Sequence, residues 1–129
     1  MESHILVVDD SAAIRKILQR VLRQTGMVIA DIYEAGDGQE ALELLKAKTV
    51  SLVLSEINMP KMDGLQMLAA LKNSPELRNI PVVMITTEGG EAKVAEAVKL
   101  GAAGYVRKPF TADQIMEKLA GILEPAMQF

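Results

Sequence analysis

Short runs of continuous apolar residues, separated by longer amphipathic segments, constrain the fold of this chain more than any other feature. A continuous apolar run suits a strand that is buried on both faces, as in a parallel sheet covered by helices. Periodicity alone does not separate such a strand from a piece of buried helix, so the intervening segments decide. The five runs, of which the second is the weakest, are residues 5–8, 27–33, 52–54, 82–85 and 105–106.

Five segments that follow these runs have the spacing of amphipathic helices. From Ser11, apolar side chains recur at three- and four-residue intervals until Gly26 ends the pattern. Thr111 and Gln114 have the spacing of a capping box. The predicted helix starts are Ser11, Asp37, Asp63, Glu91 and Thr111. Strand and helix therefore alternate five times, which predicts a (βα)5 α/β fold with a doubly wound, five-stranded parallel sheet.

The composition bounds the class of protein. A length of 129 residues predicts one domain over residues 1–129. The chain has no Cys, so neither a disulfide nor a thiolate metal site can form. Its net charge of −3 argues against a nucleic-acid partner. Because neither a signal peptide nor an apolar span of roughly 20 residues is present, we expect a cytoplasmic protein without a membrane partner.

Carboxylates from two strands are expected at one edge of this sheet. Functional sites of open α/β sheets lie outside the carboxyl ends of the strands, where Asp9 and Asp10 follow the first run and Glu56 follows the third. The Asp pair by itself could simply end a strand and cap the next helix. Three clustered carboxylates, however, repel one another unless a cation neutralises them, and an all-oxygen site suits Mg²⁺. The sequence therefore predicts a Mg²⁺ site.

Two further polar side chains reach the same edge, Thr86 after the fourth run and Lys108 after the fifth. Either could be an ordinary strand-end residue, with Lys108 merely solvated. Beside the acids, however, Lys108 could hold the carboxylates apart or bind a phosphoryl oxygen. No glycine-rich loop follows the first run, which argues against a cradle for nucleotide phosphates.

Four short motifs lie along the chain at the ends of the predicted strands and in the loops that follow them. The motifs are Val7-Val8-Asp9-Asp10-Ser11, Asn58-Met59-Pro60-Lys61-Met62-Asp63-Gly64, Ile85-Thr86 and Lys108-Pro109-Phe110. In this order and at these separations they resemble the receiver domain of two-component response regulators, and most closely its single-domain CheY-like members. The resemblance covers residues 5–123, which would form the core of the domain, and it implies the flavodoxin-like strand order 2-1-3-4-5 and no output domain.

The resemblance implies a role for each residue at this edge. Receivers accept a phosphoryl group from the phosphohistidine of a kinase or phosphotransfer protein, on an Asp at the end of the third strand, while Mg²⁺ shields the charge. Asp10 would bind the cation directly, Asp9 through water, and Asn58 through its backbone carbonyl. Thr86 and Lys108 would bind the phosphoryl group, and the peptide bond that follows Lys108 would be cis.

The resemblance also implies a switch and a docking surface. Tyr105 matches an aromatic residue that turns inward when Thr86 is drawn to the phosphoryl group. The fourth helix, fifth strand and fifth helix, within residues 91–123, would bind a downstream target protein. Lys99 and Lys118 belong to this face, and their charge favours an acidic or amphipathic partner segment. The CheY-like character points to chemotaxis as one candidate pathway.

The sequence departs from the family at the acceptor position itself, which is Glu56 rather than Asp. One extra methylene moves this carboxylate, which is also a predicted metal ligand, outward by about 1 Å. A misplacement of that size can slow phosphoryl transfer roughly 10²-fold, so we expect Glu56 to be a poor or incompetent acceptor. Its carboxylate could instead reach Lys108 and Thr86 and partly mimic a phosphoryl group. An introduced substitution and a natural receiver that signals without phosphate both explain Glu56.

Three functions compete on this basis. The first is a signalling module that acts by binding a partner and catalyses nothing beyond its own phosphorylation. The second, a Mg²⁺-dependent phosphatase or phosphotransferase, needs turnover machinery, yet the sequence has neither an Asp-x-Asp motif nor a His at this edge. The third, a flavin or nucleotide binder, conflicts with the acidic edge and the missing glycine-rich loop. The sequence favours the signalling module.

Overall fold

The structure is a computed structural model that describes residues 2–87 and 91–123. Strands and helices alternate along these residues. The strands are β1 (Ser3–Val8), β2 (Ile29–Ala35), β3 (Leu52–Glu56), β4 (Val82–Thr86) and β5 (Gly104–Arg107). The helices are α1 (Ala12–Gln24), α2 (Gly38–Ala47), α3 (Gly64–Lys72), α4 (Glu91–Lys99) and α5 (Ala112–Leu123). Within the described residues, none of the helices combines the length and the apolar character that crossing a membrane requires.

The strands form one parallel sheet in the order β2-β1-β3-β4-β5, which confirms the predicted (βα)5 fold and strand order. The three central strands are buried on both faces, and the apolar residues of β1 at positions 5–8 are fully buried. This double burial explains why their sequences lack an apolar–polar alternation.

Two apolar clusters, one on each face of the sheet, form the core. Successive residues of β1 divide between them: Leu6 and Val8 belong to the cluster under α2 and α3, whereas Ile5 and Val7 belong to the cluster under α1 and α5. Leu18 and Leu22 of α1 and Ile115 and Leu119 of α5 are buried in this second cluster, as their spacing predicts, whereas Ile17, which belongs to the same apolar pattern in α1, is 43% exposed. Because helices cover both faces, the carboxyl ends of the central strands are where polar groups can meet solvent.

The helix N-termini confirm the capping side chains that the sequence indicates. Ser11, Asp37 and Asp63 precede α1, α2 and α3, and each accepts a hydrogen bond from the backbone amide three residues later, at 3.3, 2.9 and 2.8 Å. Thr111 and Gln114 form the predicted reciprocal pair at the start of α5. These bonds satisfy amides that have no partner within the first turn. They also fix where each helix leaves the edge of the sheet.

The second strand lies two residues later than the apolar run that predicts it. The run covers residues 27–33, whereas β2 extends over Ile29–Ala35. Among the strands that the structure describes, β2 is at the edge and pairs with β1 alone. Most of its residues are exposed or half-buried, so apolar content marks it poorly. Pairing with β1 sets its limit instead, because Val8 at the end of β1 pairs with Ala35.

Candidate functional site

The carboxyl ends of β1, β3 and β5 bring three charged side chains together. Asp9 follows β1 directly, and its amide donates to the Ala35 carbonyl at 3.1 Å. Glu56 is the last residue of β3. Lys108 follows β5, and its amide donates to the carbonyl of Thr86, the last residue of β4, at 2.8 Å. The peptide bond after Lys108 is cis, as predicted.

Lys108 bridges two buried carboxylates. Its Nζ donates to Asp9 Oδ2 at 2.7 Å and to Glu56 Oε1 at 2.8 Å. The side chains of Asp9, Glu56 and Lys108 are 2%, 7% and 11% exposed. Burial opposes the charge on the lysine, but the hydrogen bonds and charges of Asp9 and Glu56 outweigh it, so the pKa of Lys108 lies above its ordinary 10.5. Two buried anions therefore share one strongly held cation.

The second oxygen of Glu56 turns back onto the loop that follows β3. Oε2 accepts hydrogen bonds from the backbone amides of Ile57 at 2.6 Å and Asn58 at 3.3 Å. With Lys108 on the other oxygen, protein donors occupy both ends of the carboxylate. The predicted reach of the Glu56 carboxylate toward Lys108 is confirmed. The hydrogen bonds that Oε2 accepts from two backbone amides are a feature that the sequence did not indicate.

The loop between β3 and α3 packs closely around Glu56. The Gly64 amide donates to the Ile57 carbonyl at 2.7 Å. A Cβ on Gly64 would lie 2.2 Å from the carbonyl oxygen of Glu56 and 2.8 Å from Cε of Met84. Glycine is needed here because the backbone of β3 approaches too closely for any side chain. In the same loop Lys61 has a φ of 64°, a left-handed conformation that is uncommon outside glycine.

The residues predicted to hold Mg²⁺ all present oxygen donors, which is the chemistry that this cation prefers. Asp10 is exposed beside the buried pair, and Asn58 adjoins Glu56 through its amide. Both carboxylate oxygens of Asp9 have protein partners, a backbone amide at 2.9 Å and Lys108. In the described ranges 2–87 and 91–123, no three Asp, Glu, His or Cys side chains converge as a ready metal site. The donor set fits Mg²⁺ chemically, and a bound cation would compete with Lys108 for the acids.

The predicted switch and docking residues lie around α4, β5 and α5. Thr86 is buried at the end of β4. Tyr105 in β5 is 37% exposed, and Nζ of Lys118 lies 5.6 Å from its ring centroid, within the range of a cation–π contact. Lys99 is exposed at the C-terminal end of α4. Tyr105 and Lys118 border a groove of about 600 Å³ between β5 and α5.

Two basic side chains that the sequence did not single out reach the site from helices. Arg15 in α1 donates from Nη1 to the Asp9 carbonyl oxygen and from Nε to Glu34 Oε1 at 3.0 Å. Lys93 in α4 donates to Asn58 Oδ1 at 2.8 Å. For Arg15 a signal was available, because a long side chain in the first turn of a helix lies close to the strand end that the helix follows.

Comparisons with known proteins agree with this geometry. Residues 5–120 match the family model of the response regulator receiver domain. The chemotaxis protein CheY1 of Helicobacter pylori is 42% identical over 120 residues, which cover 92% of this chain and 95% of that protein. A chemotaxis protein CheY homolog of Campylobacter jejuni is 39% identical over 120 residues, which cover 92% of this chain and 91% of that protein.

Solved structures show the same likeness. Chemotaxis response regulator CheY4 of Vibrio cholerae has a TM-score of 0.84 and 30% identity, covering 95% of this chain and 100% of that one. The Mn²⁺-bound form of response regulator Rcp1 has a TM-score of 0.79 and 28% identity, covering 98% and 95%. With the family model matched over most of its length, the chain belongs to the response regulator receiver domain family and is a CheY-like signalling module of two-component systems.

Proposed function

We propose that this module signals by binding a partner through α4, β5 and α5, and that Glu56 prevents the phosphorylation that receivers with an acceptor Asp undergo. The observation that carries the proposal is the engagement of the Glu56 carboxylate, which is buried and bonded at both oxygens to Lys108 and to backbone amides. An acceptor carboxylate must aim one oxygen at the incoming phosphorus, in line with the leaving group. Glu56 has its oxygens directed at protein donors instead.

The length of the side chain supports the same conclusion. Relative to Asp, the extra methylene of Glu56 displaces the carboxylate by about 1 Å, and the 2.6 Å bond to the Ile57 amide draws it back onto its own loop. Phosphoryl transfer depends mainly on positioning, so a displacement of this size slows it roughly 10²-fold. We expect native chain to be labelled at least that much more slowly than a Glu56→Asp variant.

We also propose that Asp10, Glu56 and the backbone carbonyl of Asn58 hold Mg²⁺, with Asp9 acting through water. The Mn²⁺-bound form of the related regulator Rcp1 supports divalent cation binding in this family. When bound, the cation would neutralise negative charge at the strand ends. Because both oxygens of Glu56 are held by Lys108 and by backbone amides, a cation must compete with these donors, so we expect weaker Mg²⁺ binding in the native chain than in the Glu56→Asp variant, whose side chain is shorter.

Intact-mass measurement after incubation with Mg²⁺ and phosphoramidate tests this proposal. The native chain is compared with Glu56→Asp and with Glu56→Gln, which has no carboxylate at this position and gives the background labelling of other residues. We expect a gain of about 80 Da, one HPO₃ unit, in the Glu56→Asp variant alone. Equal labelling of the native chain would refute the claim that Glu56 is disabled, and labelling of neither would refute an otherwise intact phosphoacceptor site.

The proposed docking face combines exposed apolar and basic side chains. Val98 and Tyr105 are among the most exposed large apolar residues that the structure describes, and Lys99 and Lys118 lie nearby in α4 and α5. We propose an acidic or amphipathic segment of a chemotaxis target as the downstream partner, and a histidine kinase or phosphotransfer protein upstream, since the relatives are chemotaxis proteins. NMR shift mapping with a synthetic acidic amphipathic peptide tests the face, and shifts confined to α1 and α2 would contradict it.

Partial mimicry of the phosphoryl group is the second hypothesis for Glu56, because Lys108 bonds it as a phosphoryl oxygen would be bonded. This hypothesis requires Tyr105 to turn inward, and the observed exposure of the ring beside Lys118 argues against it. The ¹³C shifts of the Tyr105 ring, compared between the native chain and the Glu56→Asp variant, decide the matter. Identical shifts would end the mimicry hypothesis, and a buried-ring shift in the native chain alone would support it.

A further inference from the structure

Asp9 is held at four points by protein groups. Its amide donates to the Ala35 carbonyl at 3.1 Å. Its two carboxylate oxygens accept from the backbone amide of Ser11 at 2.9 Å and from Nζ of Lys108 at 2.7 Å. The fourth point is its carbonyl oxygen, which accepts from Nη1 of Arg15. That carbonyl belongs to the peptide group that joins Asp9 to Asp10. A donor fixed at this oxygen therefore fixes the direction in which the chain presents Asp10.

Arg15 is itself fixed by a second contact, from its Nε to Glu34 Oε1 at 3.0 Å. An exposed Arg–Glu pair on a surface stabilises a protein little, and the contact between Arg15 and Glu34 taken alone would be such a pair. The Arg15 side chain, however, is only 18% exposed, and its Nη1 reaches the acidic turn, which is the segment formed by Asp9, Asp10 and Ser11. The guanidinium holds its donors in one rigid plane, so the ion pair at Nε sets where Nη1 points. The two contacts work as one unit.

We propose that Arg15, held by Glu34, is a positioning residue that orients Asp10 for binding a divalent cation. The assignment rests on the proposed Mg²⁺ site. Groups that orient metal ligands without touching the metal affect affinity strongly in many metal sites. Glu34 has a second effect here, because its negative charge offsets that of Arg15 and reduces repulsion toward a bound cation.

Four variants built on the Glu56→Asp chain separate positioning from charge. Arg15→Met removes the carbonyl contact and the charge together. Arg15→Lys keeps the charge and a single donor group but loses the rigid fork. Glu34→Gln removes the offsetting charge but keeps a side-chain carbonyl oxygen that can accept the hydrogen bond from Arg15 Nε. Arg20→Met is the matched control, since Arg20 is exposed on the same helix and carries the same charge.

Mn²⁺ binding, followed by the electron paramagnetic resonance of the free ion, is the first measurement. We expect Arg15→Met to weaken the affinity about 10-fold or more and Arg15→Lys to recover part of it. Arg20→Met should change the affinity by less than about twofold, because an exposed charge is screened. Equal affinities of the Arg15→Met and Arg20→Met variants for Mn²⁺ would overturn the assignment. A weaker affinity of Arg15→Met would also overturn it if thermal unfolding showed that this variant had lost the fold of the whole domain.

The second measurement needs no metal and uses the native chain. Amide hydrogen exchange at Asp10 and Ser11 should be faster with Arg15→Met than with Arg20→Met, while exchange in α2 stays the same. Unchanged exchange at Asp10 and Ser11 would overturn the assignment. If the Glu56→Asp chain binds no Mn²⁺, the proposed metal site fails, and this exchange experiment alone decides whether Arg15 fixes the acidic turn.

Discussion

A Lys108→Met substitution tests the energetics of the site most directly. Methionine keeps much of the apolar stem but leaves Asp9 and Glu56, which are 2% and 7% exposed, without a cation. Breaking a buried ion pair costs about 3–5 kcal/mol, because the remaining charge stays desolvated. Lys108 serves two carboxylates, so we expect the upper part of this range. A domain of this size has about 5–15 kcal/mol of stability in all, and the variant would lose a large share of it.

Urea unfolding followed by far-UV circular dichroism measures this loss. A Lys99→Met variant, which removes an exposed lysine from α4, is the control and should change the free energy of unfolding by less than about 0.5 kcal/mol. Adding Glu56→Gln to Lys108→Met should recover part of the loss, since only one buried carboxylate, that of Asp9, is then left without a cation. A loss below about 1 kcal/mol for Lys108→Met would refute the view that the lysine holds two buried anions.

Three further outcomes are expected. Gly64→Ala should lower the free energy of unfolding by about 3 kcal/mol in the same assay, because its Cβ would lie 2.2 Å from the Glu56 carbonyl oxygen; a neutral result would contradict the close approach. Lys61→Asn should raise it by about 0.5–1 kcal/mol, since Asn tolerates the left-handed φ of 64°, and a decrease would show that the lysine side chain contributes instead. The raised pKa of Lys108 means that its ion-pair stabilisation is fully present below 10.5 and is lost as the pH rises through the higher folded value. The stability gap between the native chain and Lys108→Met should therefore be constant near neutral pH and shrink only in strong alkali; shrinkage already near about pH 8 would contradict this.

The central sheet was predictable because three of its strands bury both faces. Continuous apolar runs such as residues 5–8 and 82–85 fit few other roles in a chain whose remaining segments are amphipathic. The apolar run predicts the edge strand β2 two residues too early, because most residues of this strand are exposed or half-buried and apolar content no longer marks its ends. Its limits come from pairing with β1, which is a property of two segments and cannot be read from one.

At the site, topology predicted which strand ends meet but not which hydrogen bonds form. Asp9, Glu56 and Lys108 come together as expected, since the carboxyl ends of parallel strands share one edge. Asp10, although adjacent in sequence to buried Asp9, is exposed. The contact of Arg15 was not predicted, because helix periodicity indicates only which side chains lie away from the core, whereas this side chain is long enough to reach back over the strand end.

The negative charge of Glu56 is part of the side chain itself, joined to the chain by carbon–carbon bonds, so it lasts longer than the charge of a phosphoryl group. An acyl phosphate hydrolyses, so a phosphorylated receiver carries a signal of limited lifetime. A side-chain charge has no such lifetime and persists from synthesis to degradation of the protein. If Glu56 accepts no phosphoryl group, the fraction of a target that is occupied depends only on the concentration of this chain relative to the Kd. The cell would then set the strength of the output through the synthesis and degradation of the protein, and every molecule would bind the target with the same affinity.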